Sequence, residues 1–416
     1  MPGAAAAAYD MAAMAERESD LLIAGGGPAG MVAGLLFARA GVATLVLEKH
    51  KDFLRDFRGD TVHPSTLRLF HELGLLDAFL ERPHDKVRTL SAFVGGRRIV
   101  PVDLSRFDPR WNFVAMMPQW EFLDFVRDAA AAYPAFRLEM ETEATGLVEE
   151  AGRIAGVRTR SGERRARLTI AADGRDSRLR AAAGLPLKTI GAPIDVFWFR
   201  LPKAPTAENR TTGFFTGGRI MVVIDRGDYW QCAYVFAKGD AAKVRARGLE
   251  AFRAEVARVA PVTADGVDAL RDWDEVRLLS VALDRLERWH RPGFLAIGDA
   301  AHAMSPVGGV GINVAIQDAV AAANVLAGPM ARGEDPDPLL PKVQARRATA
   351  VRLTQAFQSA AQKRIIRPLL ERGGGEPPLP LPLRLLDRFP LLRTIPAAFI
   401  GFGWRPEHVR SPEAQG

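Results

Sequence analysis

The apolar positions fall first into a short run, Leu21-Leu22-Ile23-Ala24, that stops at three consecutive glycines; a segment of helical length, 28–40, and a second apolar run, 44–48, follow. This order predicts two parallel strands joined by a crossover helix, beginning near residue 20. Over 65–80, Leu67, Leu69, Phe70, Leu73, Leu76 and Phe79 recur mostly at three or four positions, which predicts a helix broken at Gly74. Gly95-Gly96 lies between β-prone stretches and predicts a hairpin over 90–104, while 120–132 places Phe122, Phe125, Val126 and Ala129 on one helical face. Segments 137–148, 153–158 and 166–171 read as strands returning to the first sheet. Three β-like segments between 195 and 236 then predict a mainly antiparallel sheet; in the last, Trp230, Cys232 and Tyr234 share one face and Gln231 and Ala233 the other. A helix over 248–259, a strand over 277–282, an apolar run over 293–297, an Ala-rich helix over 312–326 and a mostly helical tail over 339–370 complete the pattern.

Composition narrows the class. The 416 residues are 48% hydrophobic and 25% charged, as in a globular chain of two or three units, and a single cysteine, Cys232, allows no internal disulfide and fits a reducing cytoplasm. The net charge of +7 is scattered along the chain, which argues against nucleic-acid binding and leaves only a bias toward anionic cofactors and substrates. Residues 1–19 carry no basic start followed by an apolar run, so a disordered N-terminus without a secretory leader is expected. Residues 21–38 are uncharged, but Gly25-Gly26-Gly27-Pro28 breaks any membrane helix there.

Gly25-Gly26-Gly27-Pro28-Ala29-Gly30 fits G-x-G-x-x-G between a strand and a helix, and Glu48 ends the next strand eighteen residues beyond Gly30. In such a turn the first glycine permits the tight bend, the second lets backbone approach a pyrophosphate, and the third lets helix and strand pack closely, while the helix start offers N–H groups to phosphate. Candidate contacts are Gly25, Gly27, Ala29 and Gly30, with Glu48 for a ribose hydroxyl. This fingerprint alone does not separate NAD from FAD.

Two further segments, Ala171-Ala172-Asp173-Gly174-Arg175-Asp176-Ser177-Arg178-Leu179-Arg180 and Gly298-Asp299-Ala300-Ala301-His302-Ala303-Met304-Ser305-Pro306, resemble the D-G and G-D motifs of the single-component flavoprotein aromatic hydroxylases, the family of p-hydroxybenzoate hydroxylase and the ubiquinone-ring hydroxylases. With the glycine turn, three motifs stand in the family's order over roughly residues 20 to 330. The resemblance implies an α/β fold: a Rossmann-like FAD-binding domain, an inserted mostly antiparallel substrate domain and a helical C-terminal tail. The corresponding division is FAD-binding parts over 20–90, 111–190 and 286–330, a substrate-domain hairpin over 91–110, the substrate domain over 191–285 and the tail over 331–416. It further implies that Asp299 binds the ribityl chain, that Pro306, Gly309, Gly311, Ile312 and Asn313 run beside the isoalloxazine, and that Arg58, Gln119 and Asp173 contact FAD; by their residues alone Arg58 also reads as a solvated arginine and Gln119 as a helix cap, and the Asp173 motif is linked in the family to both FAD and the nicotinamide nucleotide. Arg178 and Arg180 read either as contacts to nicotinamide-nucleotide phosphates or as partners of carboxylates. His302, in an apolar setting, reads as a packed histidine; His63 lies on the expected flavin side.

The implied activity is an FAD- and NADPH- or NADH-dependent monooxygenase that hydroxylates an aromatic or polyketide- or quinone-like substrate with dioxygen through a C4a-hydroperoxyflavin, with no obligatory catalytic dyad. The alternatives are an FAD-dependent reductase of a lipophilic polyprenyl substrate and a non-catalytic flavin-binding regulator; the W-x-W-x-I-P segment of halogenases is absent from the sequence. Either face of the strand around Trp230 is open to substrate in this reading. The proline-rich apolar tail with Arg384, Arg388 and Arg393 reads either as packed on its own core or as a peripheral membrane contact beside an otherwise cytoplasmic protein.

Overall fold

The computed structural model describes residues 19–54, 61–204, 211–371 and 379–414. The first apolar run is strand β1 (Ser19–Ala24), whose Leu21, Leu22 and Ile23 are fully buried. Helix α1 (Pro28–Arg39) starts on a proline, where the missing N–H has no intrahelical acceptor to lose. It is apolar nearly all round and buried from Ala29 to Ala38, because it lies between the sheet and a second buried helix. Strand β2 (Thr44–Leu47) returns parallel to β1, with Leu21 opposite Thr44 and Ala24 opposite Leu47.

Around this pair the main sheet grows in both directions. Strand β3 (Phe136–Glu139) adds parallel to β2, strand β4 (Gly162–Ala171) parallel to the other edge of β1, and strand β5 (Phe294–Ala296) parallel to β4. The first half of β4 also carries an antiparallel meander, Gly146–Glu150 and Arg153–Thr159. The continuous strand expected over 137–148 is thus two strands in two places: the chain turns between them, with Glu141 at φ 54°.

The second sheet has seven strands in the order Arg277–Leu279, Ile194–Pro202, Tyr229–Ala237, Arg219–Asp225, Thr212–Thr216, Thr89–Val94, Arg97–Asp103. All pairs are antiparallel except Thr212–Thr216 with Thr89–Val94, so the expected hairpin at Gly95-Gly96 joins this sheet beside a strand, Thr212–Thr216, that the pattern did not reveal. One face, with Phe197, Phe199, Met221, Trp230, Cys232 and Tyr234, is closed by helix α2 (Leu249–Val259) through Phe252 and Val256. The opposite face carries Val196, Trp198, Val222, Ala233 and Val235, and packs against Val307. The Trp230 face is therefore filled by the protein's own helix, and the Gln231–Ala233 face is the one turned toward the glycine-rich loop.

Helix α3 (Gly311–Ala331) lies against α1, and helix α4 (Leu340–Ala361) against α3. Val307–Ala331 is long and apolar enough to cross a bilayer, but 78% of its most apolar window is buried inside the fold. Helix α5 (Thr394–Phe402) wedges between the sheets, its Ala397 and Ile400 joining Leu104, Met116, Trp198 and Ile224. Within the tail, Ala397 and Gly401 are core, while Leu381, Leu385, Phe389, Leu391 and Ile395 are exposed.

Candidate cofactor and substrate site

Three turns meet at the C-terminal edge of the parallel strands β1, β4 and β5, the edge at which open α/β sheets bind their ligands. In the first, Gly25 has φ +113° and a Cβ there would stand 2.3 Å from the Ala172 carbonyl oxygen; at Gly30 it would stand 1.9 Å from the Gly25 carbonyl oxygen. Both positions require glycine for packing alone. Gly27 differs, because a Cβ there would meet no atom within 4 Å. That open space fronts the amides of Ala29 and Gly30, which precede the first intrahelical bond, Met31 N–H to the Gly27 carbonyl. Glu48 is buried, and its carboxylate accepts from the Gly26 and His50 amides, both at 3.0 Å, so it also holds the turn in shape.

The second turn leaves β4 through Ala172, whose amide donates to the Ala24 carbonyl at 2.8 Å. Asp173 Oδ2 accepts from the Leu179 amide at 3.3 Å, whereas Oδ1 is buried with no partner among the described residues, and burial pushes this carboxyl up. Arg180 is buried and donates to the Ala300 carbonyl at 3.1 Å and the Arg175 carbonyl at 2.8 Å, which ties the second turn to the third. Arg178 faces Glu143 at 3.5 Å on the surface.

In the third turn Gly298 has φ +59°, and a Cβ there would press on Ala29 at 3.2 Å and Ala315 at 3.1 Å, so this turn touches the starts of both α1 and α3. Asp299 is half-buried, 3.7 Å from Arg175. Behind the turn, Asp318 is fully buried and accepts from the Gly298 amide at 3.1 Å, His302 Nε2 at 2.6 Å and Arg347 Nε at 2.9 Å. Burial alone would raise this carboxyl; His302 and Arg347 outweigh it and hold it below the ordinary carboxylate range. His302 is a packed, paired histidine, as its setting suggested. Asp318 and Arg347 were not foreseen, although a lone carboxylate inside the Ala-rich run was visible.

The loop that follows turns at Gly308 (φ +83°) and Gly309 (φ +64°) before α3 begins at Gly311. Thr61 Oγ1 donates to the Gly309 carbonyl at 3.0 Å. Asn313 turns its side chain onto the same segment: Oδ1 accepts from the His63 amide at 2.9 Å and Thr66 Oγ1 at 2.8 Å, and Nδ2 donates to the Thr61 carbonyl at 3.2 Å. From the far side Gln358 donates to the carbonyls of Ser305 (2.8 Å) and Val307 (3.0 Å), and Gln362 donates to Ser305 Oγ at 2.6 Å. The spacing of Gln355, Gln358 and Gln362 along one helical face was the available signal for this brace. Gln119 is buried at the first turn of the helix Gln119–Ala131, just after Val114–Met116, which pairs with Thr61–Val62. Arg58 lies outside the described residues.

Open space at Gly27, an orphaned carboxylate oxygen on Asp173 and a half-buried Asp299 on the third turn fit a dinucleotide with a polyhydroxyl chain. The comparisons name it. The sequence pattern of the FAD binding domain matches residues 18–357. A 6-methylpretetramide 4-monooxygenase of Streptomyces rimosus is 32% identical over 364 residues, 83% of this chain and 86% of the relative. A dialkyldecalin synthase of Streptomyces rugosporus is 26% identical over 72% of this chain, which spans 63% of that relative's length. Among solved structures, PqsL of P. aeruginosa in complex with 2-aminobenzoylacetate shares the fold at a TM-score of 0.74 and 22% identity, covering 85% of this chain and 98% of that one. The chain belongs to the FAD-binding-domain family, as an enzyme of the flavoprotein monooxygenase type.

Proposed function

We propose that this protein is a cytoplasmic, NADPH- or NADH-dependent monooxygenase that hydroxylates an aromatic or polyketide-like small molecule with dioxygen. The carrying observation is the contact of the three turns with one another, Gly25 against Ala172 and Gly298 against Ala29, beside the open space at Gly27, with the relative named 6-methylpretetramide 4-monooxygenase as support for the substrate class. Gly25, Gly27, Ala29 and Gly30 would hold the pyrophosphate and Glu48 a ribose; Asp173 and Asp299 would hold the ribityl chain; Pro306, Gly309, Gly311, Ile312 and the Asn313 backbone would border the ring system, with Arg58 and Gln119 as further FAD contacts. FAD bound there supplies the redox chemistry, passing electrons from the nicotinamide nucleotide to dioxygen and one oxygen atom to substrate.

The protein's own part is to orient and to exclude water. Trp198, Val222 and Ile400 present an apolar wall beside the glycine-rich loop, and the Trp198 indole N–H is buried with no acceptor among the described residues, a donor suited to a ring carbonyl or hydroxyl. The test is whether purified protein carrying FAD consumes NADPH and oxygen together when given polycyclic phenols, with product mass raised by one oxygen. Turnover of NADPH on polyprenyl substrates without oxygen uptake would point to a reductase, and flavin binding without any turnover to a regulator.

A further inference from the structure

We propose that His63 is a ligand-binding residue of this pocket: its Nε2 accepts a hydrogen bond from an N–H or O–H on the edge of a planar ring seated against the Gly309 turn. Two donors share that chemistry, N3–H of the flavin and the hydroxyl of a phenolic or enolic substrate. The inference rests on the monooxygenase reading.

The ring is fixed from two sides. The His63 amide donates to Asn313 Oδ1 at 2.9 Å, and Nδ1 lies 2.8 Å from the Ile400 carbonyl oxygen. A carbonyl only accepts, so Nδ1 carries the proton and Nε2 the lone pair. Ile400 lies in the last turn of α5, where carbonyls have no intrahelical donor, and the imidazole satisfies one of them. Helix α5 thereby selects the tautomer of a histidine 337 residues earlier.

Nε2 faces bare backbone. It is 3.5 Å from where a Cβ on Gly309 would sit, and that position cannot carry one easily, since φ is +64° and Thr61 Oγ1 would be 2.9 Å away. His63 is 1% exposed and Nε2 makes no hydrogen bond among the described residues, yet, unlike His302 Nδ1, Nε2 is not one of the fully sealed polar atoms, so a narrow opening reaches it. An acceptor with so little access to water favours a partner that arrives with a ligand. Burial lowers the ring's pKa to about 4 against the opposing Ile400 bond, so the acceptor is present at neutral pH. His302 is the contrast: its unpaired Nδ1 is sealed in the core beside Trp289.

Two arms separate the sources. Apoprotein is titrated with FAD and with N3-methyl-FAD by flavin fluorescence, and the FAD-loaded protein with 1,8-dihydroxyanthraquinone and its dimethyl ether by visible absorbance. Each is repeated with His63→Asn, which keeps a donor near Nδ1 and removes Nε2, and with His63→Gln, whose amide reaches the Nε2 position. A preference of about tenfold for the free N–H or O–H, erased in His63→Asn and regained in His63→Gln, supports the proposal and identifies the source by its arm. Wild-type protein that shows neither preference, or preferences that His63→Asn leaves intact, overturns it. Failure of the wild type to take up FAD at all would instead sink the monooxygenase reading.

Discussion

Asp318→Asn tests whether the buried charge cluster holds the Gly298 turn. Asn is nearly isosteric and still offers one oxygen to the Gly298 amide, but it removes the charge that faces Arg347 and His302 at 2.9 and 2.6 Å, in a group with no exposure. Arg347, itself buried, then keeps its charge without a counter-ion, and breaking a buried pair from one side costs about 3–5 kcal/mol. The expected outcome in urea denaturation at neutral pH is a loss of that size, with weaker FAD binding by fluorescence titration because Gly298 and Asp299 share the turn. Arg347→Met should lose less, since His302 stays beside the carboxylate, and the double variant Asp318→Asn/Arg347→Met should recover part of the single Asp318→Asn loss. The pH dependence follows from the lowered pKa of Asp318. Its contribution is complete above its unfolded value of 3.8 and is lost as pH falls through the lower folded value, so the wild type's advantage over Asp318→Asn should vanish only in strong acid. A change below about 0.5 kcal/mol at neutral pH, with FAD affinity intact, would refute the reasoning.

Gly27→Ala should leave apoprotein melting unchanged, since the new methyl meets no protein atom at φ −77°, yet weaken FAD at least tenfold, about 1.4 kcal/mol, whereas Gly30→Ala should fail to fold because its Cβ would overlap the Gly25 carbonyl. Equal FAD affinity in Gly27→Ala would show that the open space is not a phosphate site. Trp198→Phe should keep the visible flavin spectrum and lose about 1 kcal/mol of aromatic-ligand affinity, read by ligand titration. Burial pushes the Cys232 thiol up, so native protein should resist a disulfide-exchange reagent that reacts at once after denaturation; rapid reaction in the native state would contradict its placement under α2.

The parts of the site that were legible from sequence are those where backbone geometry restricts residue type. Gly25 and Gly30 cannot carry a Cβ, and Gly298 sits at positive φ between two helix starts, so each leaves a glycine at a fixed distance from its strand. The parts that were not legible depend on contacts between distant segments. Arg347 meets Asp318 across 29 positions and Gln358 meets Ser305 across 53; the spacing of Gln355, Gln358 and Gln362 marks a polar helical face but not the distant loop it meets. The alternation of Trp230, Cys232 and Tyr234 against Gln231 and Ala233 gave two faces but not their directions, because α2 is apolar on one side and so is the Val307 loop. Thr212–Thr216 was missed because Gly213 and flanking polar residues dilute its β-prone Phe214 and Phe215.

The glutamine brace sets an order of events during synthesis. The loop at 305–309 is held by Gln358 and Gln362, and the imidazole at 63 by the carbonyl of residue 400. A ribosome-bound chain that has emerged only through α3 contains the residues of all three nucleotide turns but lacks Arg347 behind the Gly298 turn and the supports of the ring-facing loop. Loss of the Gln358 and Gln362 side chains should therefore produce apoprotein before it produces misfolded protein.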